Sequence, residues 1–186
     1  MKKILFLAFI LLAAVSCKKD SDSDDSTEPT VDARDAFVGE YELTLDGTLS
    51  LSTTNETISS MLPDNVNISD YIKEQSLIIT KDSTKDNQVI LSGFYNCKAL
   101  VSGNNMILES STESRNISIG DIIGLDLGGD IPVSYTFVHK TATLTDGVLT
   151  WHTDANGSAS ISVTIVIPID FTLTGVASIE NTAIKL

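Results

Sequence analysis

The sequence predicts an all-β fold, an antiparallel up-and-down β-barrel of about eight to ten strands, with a two-sheet β-sandwich as the alternative. Apolar and polar residues alternate with a period of two, which is typical of strands buried on one face. Thr, Val, Ile and Ser carry most of the carboxyl-terminal half of the chain. Turn signals separate the strands at short intervals, and the resulting series of hairpins favours the barrel.

Residues 1–16 have the layout of a lipoprotein signal peptide. Two lysines follow Met1, residues 4–15 form an apolar run, and Ala14-Val15-Ser16 supplies the small residues that a signal peptidase needs. The run of 12 residues is shorter than the roughly 20 that a spanning helix requires. Ala14-Val15-Ser16-Cys17 resembles a lipobox, which implies cleavage before Cys17 and acylation of its thiol. The alternative is an ordinary secretory signal with a chance cysteine.

Residues 17–35 are predicted to be the lipidated Cys17 and a disordered acidic tether, because almost every side chain is polar or charged. Acyl chains on Cys17 would hold the protein to a membrane. Lys18-Lys19 and the acidic run that follows resemble the amino-terminal stretch of surface-exposed lipoproteins of Bacteroidota. This resemblance implies an outer-membrane protein displayed on the cell surface, with the periplasmic face as the alternative.

Charge and cysteine content limit the classes of function. Removal of residues 1–16 leaves 10 basic side chains against 25 acidic ones, a net charge of −15. Nucleic acid is therefore excluded as an expected partner, since its binders carry a basic surface. With Cys17 acylated, only Cys97 remains, so no disulfide is expected inside the domain. Residues 36–186 have the length of a single domain that rests on its hydrophobic core.

Residues 40–52 are predicted to form one long first strand. Tyr41, Leu43 and Leu45 share one parity, and the series continues beyond Gly47. A hairpin at Asp46-Gly47 would mix apolar with polar side chains on both faces. We therefore expect Gly47 to mark a bend or bulge, as is common where barrels curve.

Two turn signals interrupt residues 141–167. A two-residue turn at Asp146-Gly147 would set Leu144 against Leu149 and Ala142 against Trp151 on one buried face. A three-residue loop at Ala155-Asn156-Gly157 would set Trp151 against Ile161 and Leu149 against Val163. Both turns agree on the buried face, which predicts a three-stranded meander with Trp151 at its centre, ended or bulged at Pro168.

The other predicted strands are separated by two linkers. A weak helical turn is expected near residues 70–72, and the apolar, glycine-rich segment 120–132 is expected to pack on one barrel end as a cap rather than as a mobile lid. The remaining strands are residues 75–81, 88–93, 95–102, 106–110, 115–119 and 133–139, with 169–173 resuming the alternation.

Short motifs resemble lipocalin-like, or calycin-like, lipoproteins of Bacteroidota. They are Phe37-Val38-Gly39-Glu40-Tyr41, the stretch 141–151, and the ending Ala183-Ile184-Lys185. Gly39-x-Tyr41 resembles the Gly-x-Trp opening of lipocalins, with tyrosine in place of tryptophan. The resemblance implies a barrel with one end open to a small apolar ligand. The candidate ligand-binding residues of the barrel interior are Tyr41, Leu43, Leu45, Tyr135, Phe137, Leu149, Trp151, Ile161 and Val163.

The residues that carry chemistry form no catalytic motif. His139 would lie opposite Asp154 if the hairpin register continued, with His152 diagonal to both, and two imidazoles with a carboxylate are ligands for a transition metal. However, Phe137 shares the parity of His139, so exposed strand histidines without a metal are the expectation. Cys97 has no histidine at a suggestive spacing and is expected to be a buried free thiol.

The sequence thus predicts a lipid-anchored, non-enzymatic protein of the cell envelope without a cofactor. The leading hypothesis is that its barrel holds a small apolar ligand. The second hypothesis is a structural or adaptor subunit whose barrel is filled by side chains and whose surface contacts another envelope protein. A hydrolase is a more distant third.

Overall fold

The computed structural model describes residues 31–124, 129–164 and 168–186, and these ranges contain one antiparallel sheet of eleven strands. Cys17, the signal peptide and most of the predicted tether lie outside the described residues. The strands are β1 (Gly39–Thr53), β2 (Val66–Asn67), β3 (Gln75–Lys81), β4 (Gln88–Gly93), β5 (Cys97–Ser102), β6 (Asn105–Leu108), β7 (Ser111–Ile117), β8 (Ile131–His139), β9 (Ala142–Thr145), β10 (Val148–Thr164) and β11 (Pro168–Lys185).

Eight strands close into a barrel, because β11 pairs with β1 on one side and with β10 on the other. The order around the barrel is β11, β1, β3, β4, β5, β6, β9 and β10. The predicted all-β antiparallel barrel is therefore confirmed, and the sandwich alternative is not what forms. β8 and β7 lie outside the closed ring, where β8 pairs with β10 and β7 pairs with β8.

Three long strands carry the sheet beyond the barrel. β1, β10 and β11 have 15, 17 and 18 residues, so a strand of this size extends for about 50 to 60 Å. One end of each strand belongs to the closed barrel. The other ends, together with β8 and β7, form a curved half-sheet that we call the extension, built from residues 48–53, 111–117, 131–139, 153–164 and 168–178.

Gly47 lies where β1 passes from the barrel into the extension, and its backbone φ is +145°. A side chain there would overlap the backbone carbonyl oxygen of Ser178 on β11. Only glycine therefore permits the close approach of β1 and β11 at this point. The predicted long strand with Gly47 as its bend is confirmed.

The hairpin between β9 and β10 is also confirmed. Asp146 and Gly147 have φ of 50° and 81°, which are the left-handed angles of the two-residue turn that matches strand twist. Leu144 faces Leu149 across this hairpin, as predicted.

The predicted turn at residues 155–157 is wrong, and with it the three-stranded meander. β10 runs without a break through Ala155, Asn156 and Gly157. Trp151 lies opposite Asn181, and Leu149 lies opposite Ala183, rather than opposite the residues of a returning strand. The reason is non-local: these residues pair with β8 on one side and with β11 on the other, and a turn would break both ladders.

The interior of the closed barrel is filled by side chains. Those on β1, β3, β4, β6 and β10 are at most 1% exposed. They form one core cluster with Trp151, which is 4% exposed. A second, smaller cluster lies at the far end of the extension. The first cluster includes Tyr41, Leu43, Leu45, Leu77, Ile79, Leu91, Met106 and Leu149, and the second includes Ile58, Ile123, Ile161, Phe171 and Leu173.

The short helices lie at the edges of the sheet. They are a 3-10 helix (Ala33–Ala36), α1 (Glu56–Ser59), α2 (Ile68–Tyr71) and α3 (Ile119–Ile123). The 3-10 helix places the last residues of the predicted tether on the domain, since Arg34 donates hydrogen bonds to the carbonyl oxygens of Asp82 and Lys85. α2 matches the predicted helical turn. α3 begins the predicted cap, and its Ile123 packs in the second cluster, while residues 125–128 lie outside the described residues.

Candidate functional site

A cavity of about 640 Å³ lies on the concave face of the extension. This volume is within the range of about 300 to 1,000 Å³ that is usual for small-molecule sites. The cavity is partly open to solvent, and most of its lining side chains are apolar. Five strands supply most of the lining through alternate residues. These are Leu49 and Leu51 on β1, Leu173, Gly175, Ala177 and Ile179 on β11, Ala155, Gly157 and Ala159 on β10, Val133, Tyr135 and Phe137 on β8, and Arg115 and Ile117 on β7.

Small residues on the two central strands create the space. Ala155 faces Ala177 across β10 and β11, and Gly157 faces Gly175 in the next inward row. In the barrel, the same strand β10 instead contributes Leu149 and Trp151 to the inward rows. The interior is therefore filled where β10 carries Leu149 and Trp151, and it is hollow where β10 carries Ala155 and Gly157. The sequence prediction did not include these small residues among the candidate ligand-binding residues, although they recur with a period of two along β10 and β11.

The four small residues Ala155, Gly157, Gly175 and Ala177 form what we call the floor of the cavity. Larger residues stand on both sides of this floor. Leu49 and Leu51 lean over Gly175, where a methyl group added to the glycine would lie 3.1 Å from Leu49 Cδ1 and 3.3 Å from Leu51 Cδ2. On the other side, Phe137 and Tyr135 lie opposite Ala155 and Gly157. A further wall comes from the β2 and α2 segment, which contributes Val66, Ile68, Tyr71 and Ile72.

Arg115 is the cationic side chain among the described residues that line the cavity. Its Nη2 donates to Glu113 Oε2 at 2.6 Å and to the carbonyl oxygen of Phe94 at 2.5 Å, and its Nε donates to Glu113 Oε2 at 3.1 Å. The guanidinium also lies 5.3 Å from the ring centroid of Phe94 and 5.8 Å from that of Tyr135. Arg115 thus joins the outermost strand of the extension to the β4–β5 turn of the barrel.

Tyr135 shares the same carboxylate. Its hydroxyl donates to Glu113 Oε2 at 3.4 Å, and burial raises the pKa of Tyr135 to about 12. The phenol is therefore protonated at neutral pH and acts as a donor. No charge change is expected from it in the physiological range.

A buried polar cluster separates the cavity from the filled barrel. The Tyr95 hydroxyl donates to Asn181 Oδ1 at 2.7 Å, and Asn181 Nδ2 donates to Thr153 Oγ1 at 2.9 Å and to the Trp151 carbonyl at 3.1 Å. His139 Nδ1 lies 2.9 Å from Thr153 Oγ1. Among the described residues, neither His139 Nε2 nor Trp151 Nε1 has a hydrogen-bond partner. Burial lowers the pKa of His139 to about 4, so the imidazole is neutral at neutral pH.

The candidate ligand-binding residues divide between three regions. Tyr135 and Phe137 line the cavity. Tyr41, Leu43, Leu45, Leu149 and Trp151 lie in the filled barrel core, and Ile161 lies in the second core cluster. The side chain of Val163 lies outside the described residues. Ligand contact stays a prediction for all of them, and the structure favours the pair on β8.

The predicted arrangement of the histidines is wrong. His139 lies opposite Thr153 rather than Asp154, and its side chain points inward against Tyr95, with ring centroids 4.8 Å apart. His152 points outward, with Nε2 3.0 Å from Asp154 and Nδ1 2.8 Å from Glu180. The two rings therefore occupy opposite faces of the sheet. In the part of the chain that the structure describes, no three histidine, cysteine or acidic residues are grouped as metal ligands.

Cys97 is a buried free thiol within the described residues, as predicted. Burial raises its pKa to about 12. The thiolate that would act as a nucleophile is therefore scarce at neutral pH.

The chain matches no family model, no curated protein and no solved structure. Among the described residues, no helix is long and apolar enough to cross a membrane.

Proposed function

We propose that this protein is a lipid-anchored lipoprotein of the cell envelope whose barrel domain binds a small apolar ligand in the cavity of the extension. The amino-terminal signal and Cys17 support the anchor, and the acidic tether supports display on the outer surface of the outer membrane. The proposal describes a binding protein without catalytic activity. Its membrane contact is made through the lipid on Cys17.

The observation that carries the proposal is the hollow between Leu49, Leu51, Tyr135 and Phe137 over a floor of small residues. Burying apolar surface of a ligand there releases about 25 cal/mol for each Å² removed from water. A floor of alanine and glycine at a site flanked by leucine and aromatic side chains leaves space that larger residues would fill.

The test is binding of the neutral apolar fluorophore N-phenyl-1-naphthylamine to the mature sequence from residue 17 with Cys17→Ala. We expect saturable fluorescence enhancement with one site per chain. Ala155→Leu places a larger side chain on the cavity floor and should weaken binding about tenfold or more. The matched control is Ser160→Leu, because Ser160 is exposed on the same strand and does not line the cavity. Equal binding by both variants would contradict the proposal.

The natural ligand is accessible by mass spectrometry of small molecules that co-purify with the same protein. We expect an apolar compound in the wild-type sample that is depleted in Ala155→Leu and retained in Ser160→Leu. A sample that carries no such compound and does not bind the fluorophore would remove the ligand-binding hypothesis.

The anchor has an independent test. Cys17→Ala in the full chain should move the protein from the membrane fraction to the soluble fraction, and protease added to whole cells should degrade the wild-type protein if it is displayed outside. A Cys17→Ala chain that remains acylated and membrane-bound would refute the anchor.

The alternative function is a structural or adaptor subunit of a cell-surface complex. Two observations favour it: side chains fill the closed half of the barrel, and, among the described residues, β7 pairs on one side only, with β8. Open strand edges are sites where another chain can add a strand. Under this alternative the protein co-purifies with an envelope protein and binds no apolar probe.

A further inference from the structure

The cavity has one polar end, and Arg115 marks it. Residues of β7 alternate between the two faces of the extension, and Arg115 shares the inward face with Ile117. The arginine side chain is 34% exposed, which places the guanidinium at the opening rather than at the floor. Lining residues of β11 are more buried, since Leu173, Ala177 and Ile179 are 3%, 8% and 4% exposed. A ligand that fills the cavity thus meets apolar side chains along its body and a cation at one end.

The hydrogen bonds of the guanidinium leave part of it unused. Arginine carries five N–H donors, one on Nε and two on each terminal nitrogen. Glu113 takes the Nε donor and one Nη2 donor, and the Phe94 carbonyl takes the other Nη2 donor. Nη1 makes no hydrogen bond to the described residues, so its two donors are free for a ligand in the cavity that Arg115 lines.

The guanidinium is also fixed in place before any ligand arrives. The ion pair to Glu113, the bond to the Phe94 carbonyl and the contacts with the rings of Phe94 and Tyr135 hold it from several sides. A group that is already immobilised loses little conformational freedom on binding. The permanent positive charge of arginine and the two free donors on Nη1 suit a carboxylate partner.

We infer that the cavity binds a single-chain amphiphile, with its carboxylate on Nη1 of Arg115 and its apolar chain over the Ala155, Gly157, Gly175 and Ala177 floor. This inference rests on the proposed function and specifies its ligand class. Two other charged residues line the cavity, Asp121 and Asp130, and both are exposed, so solvent screens them. Glu113 is the near carboxylate, and it holds the opposite edge of the guanidinium.

The experiment compares hexadecanoate with hexadecanol as competitors of N-phenyl-1-naphthylamine on the mature sequence with Cys17→Ala. The two compounds share the apolar chain and differ in the charge of the head. A charge-assisted hydrogen bond predicts that the wild-type domain prefers hexadecanoate by about 10- to 100-fold. Arg115→Met should abolish this preference and retain binding of hexadecanol. The control Lys140→Met removes the same charge from an exposed side chain outside the cavity and should keep the preference.

Glu113→Gln is a second variant that keeps Arg115, so it remains informative if Arg115→Met does not fold. It tests the contact between Arg115 and the ligand carboxylate through a gain of affinity rather than a loss. The amide keeps a hydrogen-bond acceptor for Arg115 but removes the competing negative charge. Hexadecanoate should therefore bind several-fold more tightly, while hexadecanol stays unchanged. Equal affinity of the two compounds for the wild-type domain, or an unchanged preference in Arg115→Met, would overturn the inference and leave apolar ligand binding intact. Failure of the fluorophore and of both lipids to bind would overturn the proposed function as well.

Discussion

Replacing Asn181 with leucine should destabilise the domain by about 2 to 4 kcal/mol. Asn181 is 2% exposed, accepts the hydroxyl of Tyr95 and donates to Thr153 and to the Trp151 carbonyl. Leucine has similar bulk but removes the amide oxygen that accepts from the Tyr95 hydroxyl at 2.7 Å, in a site where burial already raises the pKa of Tyr95. A buried hydroxyl that loses its partner costs about 1 to 3 kcal/mol, and the net loss of the other hydrogen bonds of the Asn181 side chain adds about 1 kcal/mol in all.

The assay is equilibrium unfolding in urea, followed by the fluorescence of Trp151, which is the single tryptophan of the chain. Trp151 is a suitable reporter because its ring centroid lies 5.8 Å from that of Tyr95. In thermal unfolding followed by the same fluorescence, we expect the melting temperature of a domain of this size to fall by about 10 °C. The urea dependence of the free energy should keep its slope, since the surface exposed on unfolding is unchanged.

The double variant Asn181→Leu with Tyr95→Phe gives the decisive comparison. Removing both partners leaves no orphaned hydroxyl, so the second substitution should restore about 1 kcal/mol or more to the first. An Asn181→Leu variant as stable as the wild type would refute the reasoning. Additive losses in the double variant would refute it too, because they would show that the two side chains do not act through a shared bond.

Two further predictions concern the backbone of β1 and the buried histidine. Gly47→Ala should lower the free energy of unfolding in urea by about 2 kcal/mol or more, because the added methyl group overlaps the Ser178 carbonyl at a φ of +145°. The control is Gly103→Ala, where φ is +58° and nothing lies within 4 Å of the added carbon, so the loss should be only about 1 kcal/mol. Equal losses in the two variants would argue against the overlap. Burial lowers the pKa of His139 to about 4 against about 6.5 in the unfolded chain, so the unfolded state binds more protons between these values and stability should fall as pH drops from about 6.5 to 4. His139→Gln should flatten this dependence of stability on pH. The proteins with and without His139 should both carry His152→Gln, because carboxylate partners raise the pKa of His152 and make stability depend on pH in the opposite sense. An identical slope with and without His139 would contradict a buried neutral imidazole.

Local signals in the chain were sufficient to locate most strands but few of their ends. The predicted strands 75–81 and 88–93 match β3 and β4 at both ends, whereas β7 begins at Ser111 rather than at residue 115, and β11 continues to Lys185 rather than ending at residue 173. Gly47 and the Asp146-Gly147 turn could be predicted because both depend on positive φ angles, which few residue types other than glycine, asparagine and aspartate adopt. The turn expected at residues 155–157 failed because a local turn preference is weaker than two flanking ladders of backbone hydrogen bonds that no local pattern reveals.

The parity of inward residues was predicted, but not which inward positions border empty space. Leu149 and Ala155 lie on the same face of β10, yet one is packed in the barrel core and the other lies on the cavity floor. Both face an alanine of β11, so the difference arises on the other side of β10: Leu149 pairs with Leu144 of the closed barrel, and Ala155 pairs with Phe137 of the extension. Only the register of β10 against β11 and β8 contains that information.

The sequence by itself determined the acidic net charge and the all-β class, because each follows from composition or from neighbours along the chain, and it carries the amino-terminal pattern on which the proposed anchor rests. The tertiary structure decided where β10 continues, which end of the interior is filled, and that Arg115 reaches the Phe94 carbonyl across 21 residues. These features depend on contacts between strands that are distant in sequence, and the free energy of such contacts outweighs the local preferences of the segments that make them.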